Sequence, residues 1–249
     1  MNIPYQNIEI EQIYSQVLGT CRRSIAVCSA ESGEGVTSLA CALAQRNLLA
    51  GHSTLLVDLN LYRPALQSLL GIENSPLNLS DSREISTQPI NTTLLTAPQL
   101  ISTSQSPVVL TGITAPLKRE NIIKLRQTGA LEQCISAWLE HYDTVILDTS
   151  PINRINAQNI PAERAAAACD GAVLIVLAGN TNEAAVSSAV NKLNTAGAQL
   201  LGCVLNDRDN PSLKNELLRE TQRLPALFRG LRCRLKKFIV NNRLLTLEI

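Results

Sequence analysis

Five short apolar runs, each closed by a turn signal, set the limits on this fold: Ser24–Cys28, Thr54–Asp58, Thr144–Leu147, Ala172–Leu177 and Gln199–Leu205. They are rich in β-branched and aliphatic residues, as in "TLLVD" and "GAVLIVL", and lack a strict apolar/polar alternation. Strands of that kind are covered on both faces, the condition of a parallel sheet packed between helices. Ala/Leu-rich stretches with helical spacing separate them, at 36–50, 118–140 and 181–196. Alternating strands and helices predict an α/β chain with a mostly parallel, doubly wound sheet. Residues 74–116 interrupt the pattern. Their Ser, Thr, Asn, Gln and Pro content predicts surface excursions around a short strand near Thr92–Leu95.

The chain has the apolar bulk such a sheet requires, with 45% hydrophobic residues among 249. Aromatic residues make up only 3%, which disfavours an aromatic-lined surface for sugars or nucleic acids. Seven cysteines with no CxxC pair, set apart from the two histidines, argue against a disulfide framework or a zinc site. Small apolar neighbours make the cysteines core filler in a reducing cytoplasm. His52 and His141 are isolated and carry no catalytic arrangement. The first 20 residues include Glu9 and Glu11 and do not form a signal peptide, and no apolar run reaches membrane-spanning length.

Chemistry concentrates first in "SAESGEGVTSLA", residues 29–40. A strand precedes it and a good helix follows from Val36, the setting of a phosphate-binding loop. Gly33 and Gly35 let backbone N–H groups converge on an anion, and the helix start adds its positive dipole. Thr37 stands where a Mg²⁺-ligating hydroxyl belongs, with Ser38 beside it. Val36 occupies the usual lysine position. The alternative is an ordinary Gly-rich strand–helix turn.

Two further stretches extend the pattern. "LLVDLNLYRP" ends a strand at Asp58 and continues through Asn60, and "HYDTVILDTSP" ends another at Asp148. Carboxylates at the carboxyl ends of parallel strands border the crevice where such sheets bind ligands. There Thr37, Asp58 and Asp148 can hold Mg²⁺ directly or through water. For either aspartate alone, capping of a loop is the competing explanation.

"SGEGVTS", "LLVDLNLYRP", "YDTVILDTSP" and "ACDGAVLIVLAGNTNEAAVSSAVNKLNTAGAQLLGCVLND", in this order, resemble the cytoplasmic domain of bacterial tyrosine kinases. These kinases are the capsular and exopolysaccharide-associated branch of the MinD/ParA-like P-loop ATPases. The resemblance spans about residues 10–210, is most specific in 140–207, and includes "LKRENIIKLRQTGALEQCISAWLEHYD" as the helix before the Walker B strand. It implies a P-loop fold with ATP or ADP and Mg²⁺ as cofactors. Gly33, Glu34, Gly35, Val36, Thr37 and Ser38 match the nucleotide loop. Asp58 matches the first carboxylate of the extra Walker motif and Asp148 the Walker B aspartate. Asn206 falls where relatives use an Asn near the adenine.

Departures accompany the matches. Val36 replaces the lysine, Asn60 replaces the second aspartate of the extra Walker motif, and Glu31 lies where the MinD/ParA branch has its signature lysine. The tyrosines are Tyr5, Tyr14, Tyr62 and Tyr142, with none clustered in the tail. Together these imply a degenerate member without kinase chemistry, in which nucleotide binding or its absence both stay open, and Asp58 and Asp148 are vestigial candidates.

The expected domain covers residues 1–212, ending near Asn210-Pro211, and a basic tail covers 213–249. The tail holds nine Lys/Arg against three Asp/Glu, whereas residues 1–212 hold 13 against 18. Leu224, Leu227, Phe228, Leu231, Leu235, Phe238 and Ile239 form one apolar stripe of a helix, flanked by basic residues such as Arg232 and Lys236. A basic amphipathic helix predicts contact with a membrane surface or an inner-membrane partner. The MinD branch ends in a membrane-targeting helix of this type; docking on its own domain is the alternative. Nucleic acid is disfavoured by the acidic main domain. The resemblance implies a regulatory or scaffold protein at the inner-membrane face in exopolysaccharide or capsule synthesis or secretion. The alternative it implies is a slow MinD/ParA-like ATPase switch that cycles between monomer and homodimer and positions a membrane-associated or polar machine.

Overall fold

The structure, a computed structural model, describes residues 7–19, 21–64, 66, 95, 98–102, 109–116, 118–154, 156, 159–208, 217, 221 and 234–239. Seven strands form one sheet: β1 (Ser24–Ser29), β2 (Thr54–Asp58), β3 (Gln99–Ser102), β4 (Val109–Ile113), β5 (Thr144–Asp148), β6 (Gly171–Leu177) and β7 (Leu200–Asn206). Their order is β3-β4-β2-β5-β1-β6-β7, parallel throughout except for the β3–β4 pair. Among the described residues, the helices that accompany the sheet are α1 (Ile8–Val17), α2 (Val36–Leu49), α3 (Arg119–Leu125), α4 (Ala130–Leu139), α5 (Ala162–Ala167) and α6 (Glu183–Thr195).

Every residue of β1, β2, β5 and β6 is buried, as unalternated strands between two helical layers must be. Neighbours along each strand go to opposite sides. Ile25, Val27, Leu56, Ile146, Val173 and Ile175 pack with α1 and α2. Ala26, Cys28, Leu55, Val57, Leu147 and Leu174 pack with α3 to α6, among them Trp138 of α4. The result is a three-layer α/β/α arrangement, the doubly wound sheet that the apolar runs predict.

Three elements depart from expectation, the first being β7, whose residues are half-buried or exposed where a strand covered on both faces is expected. The helical stretch at 118–140 is two helices, because Gly129 takes a left-handed φ of 84° and starts α4 afresh. Residues 109–113 are a sheet strand and not a surface excursion: β4 pairs with β2 and buries Leu110 and Ile113. Of the strand expected near Thr92–Leu95, residues 92–94 lie outside the described residues, and Leu95 is buried. Cys28, Cys41 and Cys134 are buried as expected, with burial pushing the Cys28 and Cys41 thiols up to about 12. Cys21 and Cys203 are exposed and so are not core filler. His52 and His141 are exposed.

The chain divides into two compact units, Met1–Leu177 with Thr181–Asn206, and Ala178–Asn180 with Asp207–Ile249. In the second, residues 234–239 are helical, with Ile239 buried, Leu235 half-buried, and Arg234, Lys236, Lys237 and Phe238 exposed. Leu224, Leu227, Phe228, Leu231 and Arg232, and the break at Asn210-Pro211, lie outside the described residues. Among the described residues, no helix is long and apolar enough to cross a membrane.

Candidate functional site

The strand order decides where these motifs meet in space. β5 lies between β1 and β2, so the loop leaving β1 neighbours the carboxyl ends of the two strands that terminate in Asp148 and Asp58. From β1 the chain passes over β5 to reach β2, while from β5 it passes over β1 to reach β6. Such a switch in direction opens a crevice at the strands' carboxyl ends.

The loop between β1 and α2 turns on two glycines. Gly33 has φ 87° and Gly35 φ 107°, left-handed conformations that L side chains rarely adopt. A Cβ on Gly33 would enter open space, whereas one on Gly35 would lie 2.7 Å from Asn206 Nδ2. Gly35 is also the N-cap of α2, which has no side-chain cap and no acidic residue in its first turn. The 14-residue helix therefore offers an electropositive end that no carboxylate of its own neutralises.

Two long-range contacts hold the loop in this shape. Asn206, at the end of β7, donates from Nδ2 to the Glu34 carbonyl at 2.8 Å, so its amide rests on the loop backbone. The buried Glu34 side chain turns back into the loop, where Oε2 accepts the N–H groups of Ala30 at 2.8 Å and Glu31 at 3.1 Å. Its Oε1 accepts the Thr181 hydroxyl. Glu34 is thus a brace whose carboxylate is committed to the protein, leaving its backbone for an anion. Thr181 lies inside a stretch that the family resemblance covers, but nothing in its spacing marks it as the partner of a residue 147 positions away.

Asp58 and Asp148 are both fully buried. Asp58 accepts Asn60 N–H at 2.8 Å on Oδ1 and Leu66 N–H at 3.2 Å on Oδ2, so it caps the turn that follows β2. Asn60 continues the turn by accepting Arg63 N–H at 3.1 Å. Asp148 accepts the Thr37 hydroxyl at 2.6 Å on Oδ2, and its Oδ1 has no hydrogen-bond partner among the described residues. Burial, and next the Asp58 carboxylate, push the Asp148 carboxyl up to about 8, opposed by the Thr37 hydrogen bond.

That arrangement is short of positive charge. Oxygen donors from Thr37, Asp148 and Asp58 suit a hard cation, and the orphaned Asp148 oxygen leaves a ligand position open. Two carboxylates and one hydroxyl suit Mg²⁺, which keeps several water or phosphate ligands. Val36, in contrast, is 7% exposed and belongs to the apolar layer with Leu39, Val173 and Ile175. Its side chain therefore faces the apolar layer. Ser38, next to Thr37, is half-buried.

No protein-family model matches the chain. It is 28% identical over 208 residues to tyrosine-protein kinase YwqD of Bacillus subtilis, covering 81% of this chain and 77% of that one. Over 186 residues it is 26% identical to the putative tyrosine-protein kinase CapB of Staphylococcus aureus, covering 74% and 75%. The chain's relatives are bacterial tyrosine-protein kinases. Among solved structures, the chimerical protein CapA2B2 matches with a TM-score of 0.58 and 26% identity over 78% of this chain and 81% of that one. The septum site-determining protein MinD of Pyrococcus horikoshii, complexed with Mg-ADP, shares the fold at a TM-score of 0.53 and 18% identity, over 76% and 72%. The P-loop fold and the tyrosine-kinase kinship implied by the motifs are therefore met.

Proposed function

We propose that this relative of tyrosine kinases binds a nucleotide weakly, turns it over poorly, and acts as a regulator or scaffold for a polysaccharide-synthesis or secretion machine at the inner-membrane face. The observation that carries this reading is the contrast within one loop. Thr37 and Asp148 keep a hydrogen-bonded pair beside an uncapped helix start, while Val36 is buried in the apolar layer. A charge-assisted bond of the kind a lysine makes contributes about 1.5–3 kcal/mol. Its loss leaves backbone N–H groups and the helix end to hold phosphates. Loss of a comparable transition-state donor slows a reaction by about 10²–10³. Binding therefore outlasts turnover.

Gly33, Gly35 and the backbone of Glu34, Val36, Thr37 and Ser38 would hold the phosphates, and Thr37 with Asp148 would hold Mg²⁺, assisted by Asp58. When bound, Mg²⁺ would neutralise phosphate charge that no lysine offsets. Asn60 in place of a carboxylate removes one repulsive charge but also a candidate catalytic group. Calorimetric titration of the purified chain with ATP and ADP, with and without Mg²⁺, tests the site. We expect Mg²⁺-dependent binding at or below millimolar nucleotide, with phosphate release no faster than in Asp148→Ala. Absence of binding at millimolar nucleotide would leave a pure scaffold. Turnover abolished by Asp148→Ala would favour the second reading, a slow ATPase switch coupled to dimerisation, which the open Asp148 Oδ1 favours.

The tail, residues 213–249, is the proposed anchor, a unit distinct from the nucleotide domain of residues 1–212. With each basic residue near an anionic leaflet contributing about 1 kcal/mol, its excess of six positive charges is enough for peripheral attachment from the cytoplasmic side. Exposed Lys236, Lys237 and Phe238 fit a lipid surface or a membrane partner. Co-sedimentation with anionic vesicles, with and without residues 213–249, decides; equal binding of the two forms rules out the tail as anchor.

A further inference from the structure

The loops leaving β1, β2 and β5 surround the candidate nucleotide site, and among their described residues only Arg63 and Arg154 are basic. Arg63 has no described contact with the phosphate loop; its backbone N–H meets Asn60. Arg154 is placed differently. After β5 the chain stays alongside the start of the phosphate loop, with Ile152 N–H donating to the Ser29 carbonyl at 2.9 Å and Asn153 N–H to the Ala30 carbonyl at 3.1 Å. The next residue, Arg154, reaches the next loop residue, Glu31, donating from Nε to Oε2 at 3.1 Å. The Tyr62 hydroxyl, from the loop after β2, is a second neighbour of the guanidinium. A cation is thus tied to the very loop that has lost its lysine.

We propose that Arg154 takes over the missing lysine's task, supplying the cation for the outer phosphates of a nucleotide, and that Glu31 is the counter-ion that holds it when no nucleotide is bound. This rests on the nucleotide-binding reading of the same site. Three features support it. The Arg154 and Glu31 side chains are 53% and 37% exposed, and a pair so open to solvent is weak enough to exchange partners. Guanidinium is always charged and matches phosphate oxygens two at a time, whereas carboxylate and phosphate compete for the same N–H groups. The buried carboxylates of Asp58 and Glu34 lie beside the loop, and Val36 offers an incoming triphosphate no positive charge.

The test is calorimetric titration of the full chain with MgATP, MgADP and AMP, for the wild type and for Arg154→Ala, Arg154→Lys, Glu31→Gln and the Glu31→Gln/Arg154→Ala double variant. We expect Arg154→Ala to weaken MgATP about tenfold, with AMP unchanged, and Arg154→Lys to restore most of the loss. Glu31→Gln should tighten MgATP severalfold by releasing Arg154, and this gain should vanish in the double variant. Thermal unfolding should be the same for all four variants, since the pair is exposed. If the wild type binds MgATP and Arg154→Ala binds it equally well, or loses AMP in the same proportion, Arg154 is not the phosphate cation. A Glu31→Gln gain that persists in the double variant shows Glu31 acting through its own charge and overturns the counter-ion role. A wild type that binds no nucleotide removes the underlying reading, and this inference with it.

Discussion

Asp58 and Asp148 stand directly opposite each other at the ends of the adjacent parallel strands β2 and β5, yet their carboxylates have different work. Both oxygens of Asp58 accept backbone N–H groups of the turn it caps. Asp148 reaches across to Thr37 with one oxygen and leaves the other without a partner among the described residues. One member of the pair is committed to holding its own loop. The other is only half committed.

This difference gives a pH dependence. Burial and Asp58 raise the Asp148 carboxyl from 3.8 to about 8. A group with a raised folded value contributes stability in full below about pH 4, and that contribution is lost progressively as pH climbs to about 8, where the folded state also releases its proton. In EDTA, the unfolding free energy from urea titration should fall across this window by up to about 1.4 kcal/mol per pH unit. Asp148→Asn should flatten the dependence and be more stable than wild type at pH 9. An unchanged pH profile in the variant would show that Asp148 is already ionised at neutral pH.

Placing a lysine at position 36 should separate stability from binding. Val36→Lys places a charged stem where Leu39 and Ile175 now form an apolar layer, and should cost about 1–3 kcal/mol of folding stability. The same substitution should tighten MgADP about tenfold or more, from one charge-assisted bond. Thermal unfolding and calorimetry read the two effects. No gain in affinity would mean that the loop no longer has the shape to hold phosphate.

The two loop glycines should not tolerate alanine equally. Gly33→Ala meets only the strain of a left-handed residue, about 1–3 kcal/mol. Gly35→Ala adds a Cβ 2.7 Å from Asn206 Nδ2 and should cost more, displacing the amide from the Glu34 carbonyl. In an Asn206→Ala background the penalty at Gly35 should shrink towards that at Gly33. Equal losses at both glycines in the wild-type background would argue against the close contact.

Glu34→Ala removes the acceptor of two backbone N–H groups and of the Thr181 hydroxyl. Leaving such groups unpaired costs about 1–3 kcal/mol each, so the variant should unfold several degrees lower and lose nucleotide affinity. Glu34→Gln keeps one acceptor oxygen and should fall between. If Glu34→Ala binds nucleotide as the wild type does, the brace is not what shapes the loop.

Much of the architecture is legible in the chain because four of its strands, β1, β2, β5 and β6, are buried throughout. A run such as "GAVLIVL" has no polar face to offer water, so it must lie inside a covered parallel sheet, and its boundary follows from the turn residues beside it. β4 escapes such reading because "VLTGI" is set among polar residues; its pairing with β2 and β3 makes it a strand. The split between α3 and α4 turns on the conformation of a single glycine, Gly129, inside an otherwise helical pattern.

Local spacing in the sequence marks the strand–loop–helix around Gly33 and Gly35 and the aspartates that end β2 and β5, while Asn206 is singled out only by the family resemblance. Tertiary structure alone decided what those residues do to one another. Threading β5 between β1 and β2 sets Asp148 against both Asp58 and Thr37, and the burial that results raises its proton affinity. Bringing Thr181 to Glu34, Asn206 to the loop backbone and Arg154 to Glu31 spans 147, 172 and 123 residues. No periodicity records such contacts, because they depend on where separate strand ends converge.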